Sequence, residues 1–511
     1  MQEFIEKHQE DIVGVLSGLD RLVISGYLRT LCATAGVMDY LKRSGVMFKD
    51  FGTFVEQQTE QLKQASLAEA RRLGRPIEYL NSPRISKEET AREIARRDQI
   101  REGLICVLSA VEPCMTLQMR RIRHLKQTEL VRAVRKCLFL YHYWMDPCFG
   151  FMHARIQTWF PFTIRICLNG REWLARQMEA EGLKYQRERN CFLWLEDVKR
   201  AQYWMDRQLH TDWPQQCRRW AHLLNPAHEK IFGSYRIDYY WSAYQSEWAT
   251  DVLFRSRQAL ARLYESLVRQ AIIVFGSTDV LRFLGKRLYR FEGELNSDYR
   301  RRPEGLRIKH RLKANSIKMY DKAGQILRVE TTINDSYDFR VYRRAETDPE
   351  GPLAWRRMRK GVADLYARCR FSHSCNERYL QALSDFPIRQ PLQELLESVV
   401  LPRRWKKHRF RGLRPWSASD QALMQAVTRP EFQLRGFRNR DLLQPLFGRS
   451  TPDPRLSARI THRLRILRAH RLIHKIPHTH RYRLSAKGRQ ILPTLIYVYH
   501  LDTEQLTRLA A

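Results

Sequence analysis

Glu330 stands between Val329 and Thr331 in ILRVETTI, a segment apolar enough to lie inside a sheet. A carboxylate in such a place must be paired with a cation or bind one. Three more acids sit in neighbouring strand-like segments: Glu247 and Asp251 in QSEWATD, and Asp321 at the end of NSIKMYD. Strand pairing could bring two or three of them together near Lys309, His310 or Lys318. With Asp251 and Glu330 as ligands, such a group could hold Mg²⁺ or Mn²⁺ and orient a phosphodiester for attack. The competing account makes Glu330 half of a structural ion pair with Arg328 or Lys318, and the sequence leaves both open. Asp20, Arg21 and Arg29 form a further polar group, either a site or a structural feature of a strand end. No P-loop, Gly-x-Gly-x-x-Gly, HExxH or GxSxG element occurs in place, which argues against nucleotide hydrolysis, zinc-protease and esterase chemistry.

The elements that must carry these residues suggest an α+β, multidomain chain: mixed α/β amino-terminal and central domains followed by a winged helix. Residues 1–130 combine a strand-like stretch, GVLSGLDRLVISGYLRTL, with helical spacing over 52–73 and 86–100. Residues 131–234 are rich in aromatics; HARIQTWFPFTIRICLNG alternates as strands around a proline, and REWLARQMEAEG reads as a short helix. There Arg155, Gln157, Arg165 and Arg171, interleaved with Trp159, Phe160 and Trp173, could stack on and pair with nucleotides, or the aromatics could simply form a core. Residues 235–401 read as a strand, a helix and a hairpin turning at Lys322 to Gly324, then helical sequence near 353–398. Residues 402–415, LPRRWKKHRFRGLRP with its preceding Leu, form a basic linker whose Arg403, Arg404, Lys406, Lys407, Arg409 and Arg411 can lie along phosphates.

Residues 416–511 carry the most specific pattern. Two short helical segments precede DPRLSARITHRLRILRAH, a helix with Pro454 in its first turn, and RLIHKIPHTHRYRLSAKGRQIL then supplies two short strands and a helix. This order, with Leu467, Arg468, Leu472, Ile473, Tyr482, Leu484, Ser485, Gly488, Arg489, Ile491 and Leu492 at the recurring positions, resembles the winged-helix family over about a sixth of the chain. At about 100° per residue, Leu456, Ile460, Leu464 and Leu467 share one stripe. The other face offers Arg455, Ala458, Arg459, Thr461, His462 and Arg465 to a major groove, and the wing brings His478, His480 and Arg481. A winged helix used only for protein contacts is the alternative.

The charge fits that expectation. The 511 residues carry a net charge of +35, and residues 402–511 hold 24 Lys/Arg against six Asp/Glu. So much positive charge on a chain that is 43% hydrophobic and able to fold calls for a polyanion, DNA (duplex or single-stranded) or RNA, rather than a membrane. The opening MQEFIEKHQEDIV is no secretory signal and no run approaches about 18 apolar residues, so a cytoplasmic protein is expected. The ten cysteines lack metal-site spacing and read as buried thiols.

The central hairpin, Ile317-Lys318-Met319-Tyr320-Asp321-Lys322 against Leu327-Arg328-Val329-Glu330, resembles rolling-circle replication initiators of the Rep type over about twenty residues. The His-hydrophobic-His metal motif of that superfamily does not accompany it. The resemblance implies a tyrosine nucleophile and a phosphotyrosine link, and Tyr379 in NERYLQAL is the nominee. The function expected is therefore a DNA-processing enzyme, nicking or joining strands for a mobile or replicating element; the alternative is a non-catalytic regulator or the protein part of a ribonucleoprotein.

Overall fold

The computed structural model describes the chain apart from residues 123–126, 234, 287–294, 303–304, 346–347, 349, 385–391, 407, 430–431, 433–435, 450, 452, 478 and 502–511. Among the described residues, β-branched and aromatic runs build thirteen strands before residue 334: β1 (Ile12–Tyr27), β2 (Ile77–Tyr79), β3 (Gly103–Ile122), β4 (Gln127–Asp146), β5 (Gly150–Gln157), β6 (Ile164–Asn169), β7 (Tyr185–Glu188), β8 (Cys191–Leu195), β9 (Tyr240–Phe254), β10 (Leu295–Arg302), β11 (Gly305–Leu312), β12 (Asn315–Lys322) and β13 (Ile326–Ile333). Eleven of them form one sheet in the order β10-β11-β12-β13-β9-β1-β6-β5-β4-β3-β2. Every pairing is antiparallel except β2 with β3. The fold is thus mixed, with helices around a large central sheet.

β1 is the keel of this sheet, with β9 on one side and β6 on the other. Its apolar run can be buried on both faces because small residues let helices come close. A Cβ on Gly18 would overlap the Met205 side chain of the helix Val198–Gln208. That helix, the helix Gly170–Ala180 and the β7–β8 hairpin lie over the middle of the sheet. The helix Leu365–Ser384 packs on the reverse face, where Thr331 donates to Asn376 Oδ1 at 2.7 Å.

The sequence segments 1–130, 131–234 and 235–401 contribute strands to this one sheet, and the break at 130 falls inside β4. Composition changes along the chain because different helices cover different strands, not because the sheet ends. β3 was not legible as a strand. Pro113 interrupts its pattern, yet the structure tolerates that proline in a twenty-residue hairpin arm.

Carboxyl-terminal residues pack around a separate apolar cluster that includes Leu423, Met424, Ile460, Leu464, Leu467, Leu484 and Leu492. Its elements are the helices Ala418–Val427, Leu443–Phe447, Pro454–Ala469 and Ala486–His500, with a hairpin of Ile473–Lys475 and Tyr482–Leu484. Asp453 caps the third helix by accepting from the Arg455 and Leu456 amides, with Pro454 at the position where no amide is needed. The stretch 402–415 is not an extended linker. Arg403–Trp405 pairs with His408–Phe410, and Phe410 and Leu413 are buried in the same cluster as the helices, because an apolar residue alternates with the charges. Among the described residues no helix is long and apolar enough to cross a membrane.

Candidate functional site

The β12–β13–β9 ladder sets the site. Directly paired residues share a face, and the register opposes Lys318 to Glu330, Tyr320 to Arg328, and Arg328 to Asp251. Lys318 donates to Glu330 Oε1 at 2.6 Å and Tyr320 OH to Glu330 Oε2 at 2.6 Å. Arg328 grips Asp251 through Nε at 2.5 Å and Nη2 at 2.8 Å, and Arg171 reaches the same carboxylate at 2.9 Å.

Asp20 joins from β1. Between Leu19 and Arg21 the register with β9 slips, so that Leu19 opposes Trp248 and Arg21 opposes Glu247. The bulge lets Asp20 and Arg21, although consecutive, both line one cavity with Glu247. Asn190, in the β7–β8 turn, donates to Asp20 Oδ1 and Oδ2 at 3.0 and 2.8 Å, and Arg328 Nη1 lies 3.3 Å from Oδ2.

Asp20, Glu247 and Glu330 can each offer an oxygen within 4.8 Å of the others, spacing that suits a metal ion. Four carboxylates, including Asp251, face four cations: Lys318, Arg171 and Arg328 in ion pairs, and Arg21 opposite Glu247. The cost of burial shows most in Glu247 and Asp20. Burial, then the Glu330 charge, push the Glu247 carboxyl up to about 7 against the pull of Lys318. Burial also raises Asp20, opposed by Arg328. Glu330 goes the other way: burial would raise it, but the Lys318 charge and hydrogen bond, Tyr320 and Arg328 outweigh burial and hold it near 2.

Of the residues singled out by sequence, Glu247 and Glu330 converge. Asp251 does not join them, since two buried guanidiniums take its oxygens. Asp321 is one residue beyond Tyr320 on β12 and so on the reverse face, its amide donating to Tyr264 OH at 3.0 Å. Tyr379 is wholly buried on that reverse side, sharing a hydrogen bond of 3.2 Å with His310 Nε2. Burial raises its hydroxyl well above the usual value, and it lies on the opposite face of the sheet from Asp20, Glu247 and Glu330. Lys309 opposes Lys318 on the site face, whereas His310 follows it onto the other.

The basic residues divide similarly. Arg155 is held by Glu112 at 2.5 Å and Tyr141 at 2.9 Å, and Arg165 lies over the Tyr244 ring at 4.3 Å. Arg171 is fully buried in the charge network rather than offered to nucleotides, and Phe160 and Trp173 are core residues. In the carboxyl-terminal unit Arg403, Arg404, Lys406 and Arg409 are exposed on the short hairpin; Lys407 lies outside the described residues, as does His478. Arg411 is committed to Asp420 by two bonds of 2.8 Å. Arg455, Arg459, His462 and Arg465 are exposed along one face of Pro454–Ala469, with Arg459 above the Phe447 ring at 5.2 Å. Thr461 is half-buried and accepts from Asn439 at 2.7 Å. His480 is exposed, and Arg481 donates to Gly436 O at 3.0 Å.

Sequence reasoning left Asp20 between two accounts and did not connect it with Glu247. Its signal was a lone acid inside GVLSGLDRLVISGYL, the same signal that marked Glu330. Asn190 and Tyr320 carried none. Comparison with protein-family models, with curated proteins and with solved structures finds no match to this chain.

Proposed function

We propose that this protein binds and processes nucleic acid, with Asp20, Glu247 and Glu330 holding Mg²⁺ or Mn²⁺ for phosphodiester chemistry and the carboxyl-terminal unit acting as a winged helix on duplex DNA. The observation that carries the catalytic half is the convergence of Asp20, Glu247 and Glu330, with Glu247 raised to about 7 by burial and by the Glu330 charge. A divalent ion there would offset that charge and polarise a phosphoryl oxygen. Lys318, beside both Glu247 and Glu330, is placed to stabilise negative charge on a phosphodiester. Asn190 and Arg328 orient Asp20.

The carboxyl-terminal half rests on the exposed row Arg455, Arg459, His462 and Arg465, flanked by the Arg403, Arg404 and Arg409 hairpin. Purified protein incubated with labelled single- and double-stranded DNA should cut or join strands with Mg²⁺ or Mn²⁺ and not with EDTA, and Glu247→Gln should lose that activity while still binding.

A non-catalytic role in DNA regulation or in a ribonucleoprotein has one observation in its favour: Lys318 and Tyr320 already satisfy Glu330. Binding without any metal-dependent change in the strand, in wild type and Glu247→Gln alike, would select it.

A further inference from the structure

Asp20 and Glu247 line one end of a cavity of about 570 Å³. It crosses the sheet from Glu247 on β9, past Arg21 on β1 and Cys167 and Asn169 on β6, to Phe151 and His153 on β5. Three strand spacings separate the ends, about 14 Å. That length suits one phosphate, one sugar and one base in line.

The two ends differ in chemistry. At the Glu247 end are Asp20, Glu247 and the exposed Arg21. Ser86 and Asn169, which cap the helices Lys87–Arg97 and Gly170–Ala180, also line the cavity, so two helix amino termini open onto it. Its charged walls are largely matched among themselves: Glu172 takes Arg92 at 3.3 Å and Arg187 at 3.1 Å, and Arg92 also holds Glu88 at 3.0 Å. At the far end His153 leans on the Tyr143 ring, centroids 4.9 Å apart, and makes no hydrogen bond among the described residues. Burial keeps its imidazole neutral, with a pKa near 4. A neutral imidazole presents one donor and one acceptor, the pair a base edge can match.

Resting on the metal-centre reading above, we infer that this cavity receives a single nucleotide unit of a nucleic-acid strand, its phosphate at the Asp20 and Glu247 end and its base hydrogen-bonded to His153. A duplex does not fit within such a volume, so the unit enters from a single strand or is turned out of a duplex. His153 acts by selecting and positioning the base; it touches no reacting atom.

The test uses full-length protein with Mg²⁺ and three probes: a short labelled single-stranded oligonucleotide, a nucleoside 5′-monophosphate, and the corresponding abasic oligonucleotide. The inference expects the oligonucleotide to bind more tightly than the abasic strand, and His153→Asn to weaken the base-containing strand by about tenfold, the worth of one neutral hydrogen bond. The abasic strand should bind His153→Asn and wild type alike. The ratio of wild-type to His153→Asn affinity should be the same at pH 5 and pH 8 because the imidazole stays neutral. Mononucleotide binding without oligonucleotide binding would assign the cavity to a free nucleotide and overturn the strand. Equal affinity for base-containing and abasic strands, or no effect of His153→Asn and His153→Leu in variants that melt like wild type, would overturn the base contact. If those tests fail while Glu247→Gln still abolishes metal-dependent cleavage, the pocket falls and the metal centre stands; the reverse pattern removes the metal centre and leaves the pocket.

Discussion

Asp20 and Arg21 are neighbours on one strand, yet both line the cavity that Glu247 floors. Simple alternation would send one of them to each face. The slip in register opposite Glu247 turns both to one side, and it is this bulge that completes the acidic group. Asp20 enters the group as a partner of Asn190, whereas Asp251, two turns of the pleat further along β9, is consumed by arginines.

That difference predicts unequal stability effects. Asp251→Ala leaves Arg328 and Arg171 buried with too little negative charge and should cost about 3 to 5 kcal/mol. Asp20→Asn keeps the shape and leaves Arg328 its bidentate partner, so about 1 to 2 kcal/mol is expected. Urea unfolding of the two variants decides. Equal losses would mean that Asp251 does not anchor the network.

The pH dependence follows from Glu247. Its folded value, about 7, lies above the ordinary 4.5, so the folded chain holds a proton that the unfolded chain releases between those values. The contribution is full below about 4.5 and is lost as pH rises through about 7. Melting temperatures in EDTA should therefore fall across this window, more steeply in wild type than in Glu247→Gln. Mg²⁺ should restore wild type at pH 8 and leave Glu247→Gln unmoved.

Tyr379→Phe should leave any strand cleavage intact and cost about 1 kcal/mol of stability through the lost His310 bond. A covalent protein–DNA adduct present in wild type and lost in this variant would restore Tyr379 as a nucleophile.

On the carboxyl-terminal helix, Arg465→Ala should reduce discrimination between duplex sequences by about 1 to 3 kcal/mol with the melting temperature unchanged, because the side chain is exposed and makes no ion pair among the described residues. Arg411→Ala should do the opposite: it strips Asp420 of two charge-assisted bonds and should lower the melting temperature with little change in sequence preference. Competition binding at one salt concentration, paired with thermal melts, reads both.

What the sequence determined by itself was local. Apolar alternation was enough to place β1, β9, β12 and β13, capping residues and Pro454 placed the last long helices, and a lone acid in an apolar run marked Glu330 as needing a partner. Charge counts pointed to a polyanion. Which partner each buried charge meets depends on register between strands distant in sequence, such as Asp20 with Glu247 or Asp251 with Arg328, and on a bulge that no local preference announces. The basic stretch 402–415 looked like a linker because its charges outnumber its apolar residues, but Phe410 and Leu413 find a cluster only once the helices are assembled. Tertiary structure alone separated Asp251, locked by two arginines, from the converging Asp20, Glu247 and Glu330, because the energy of a buried charge is set by its neighbours in space.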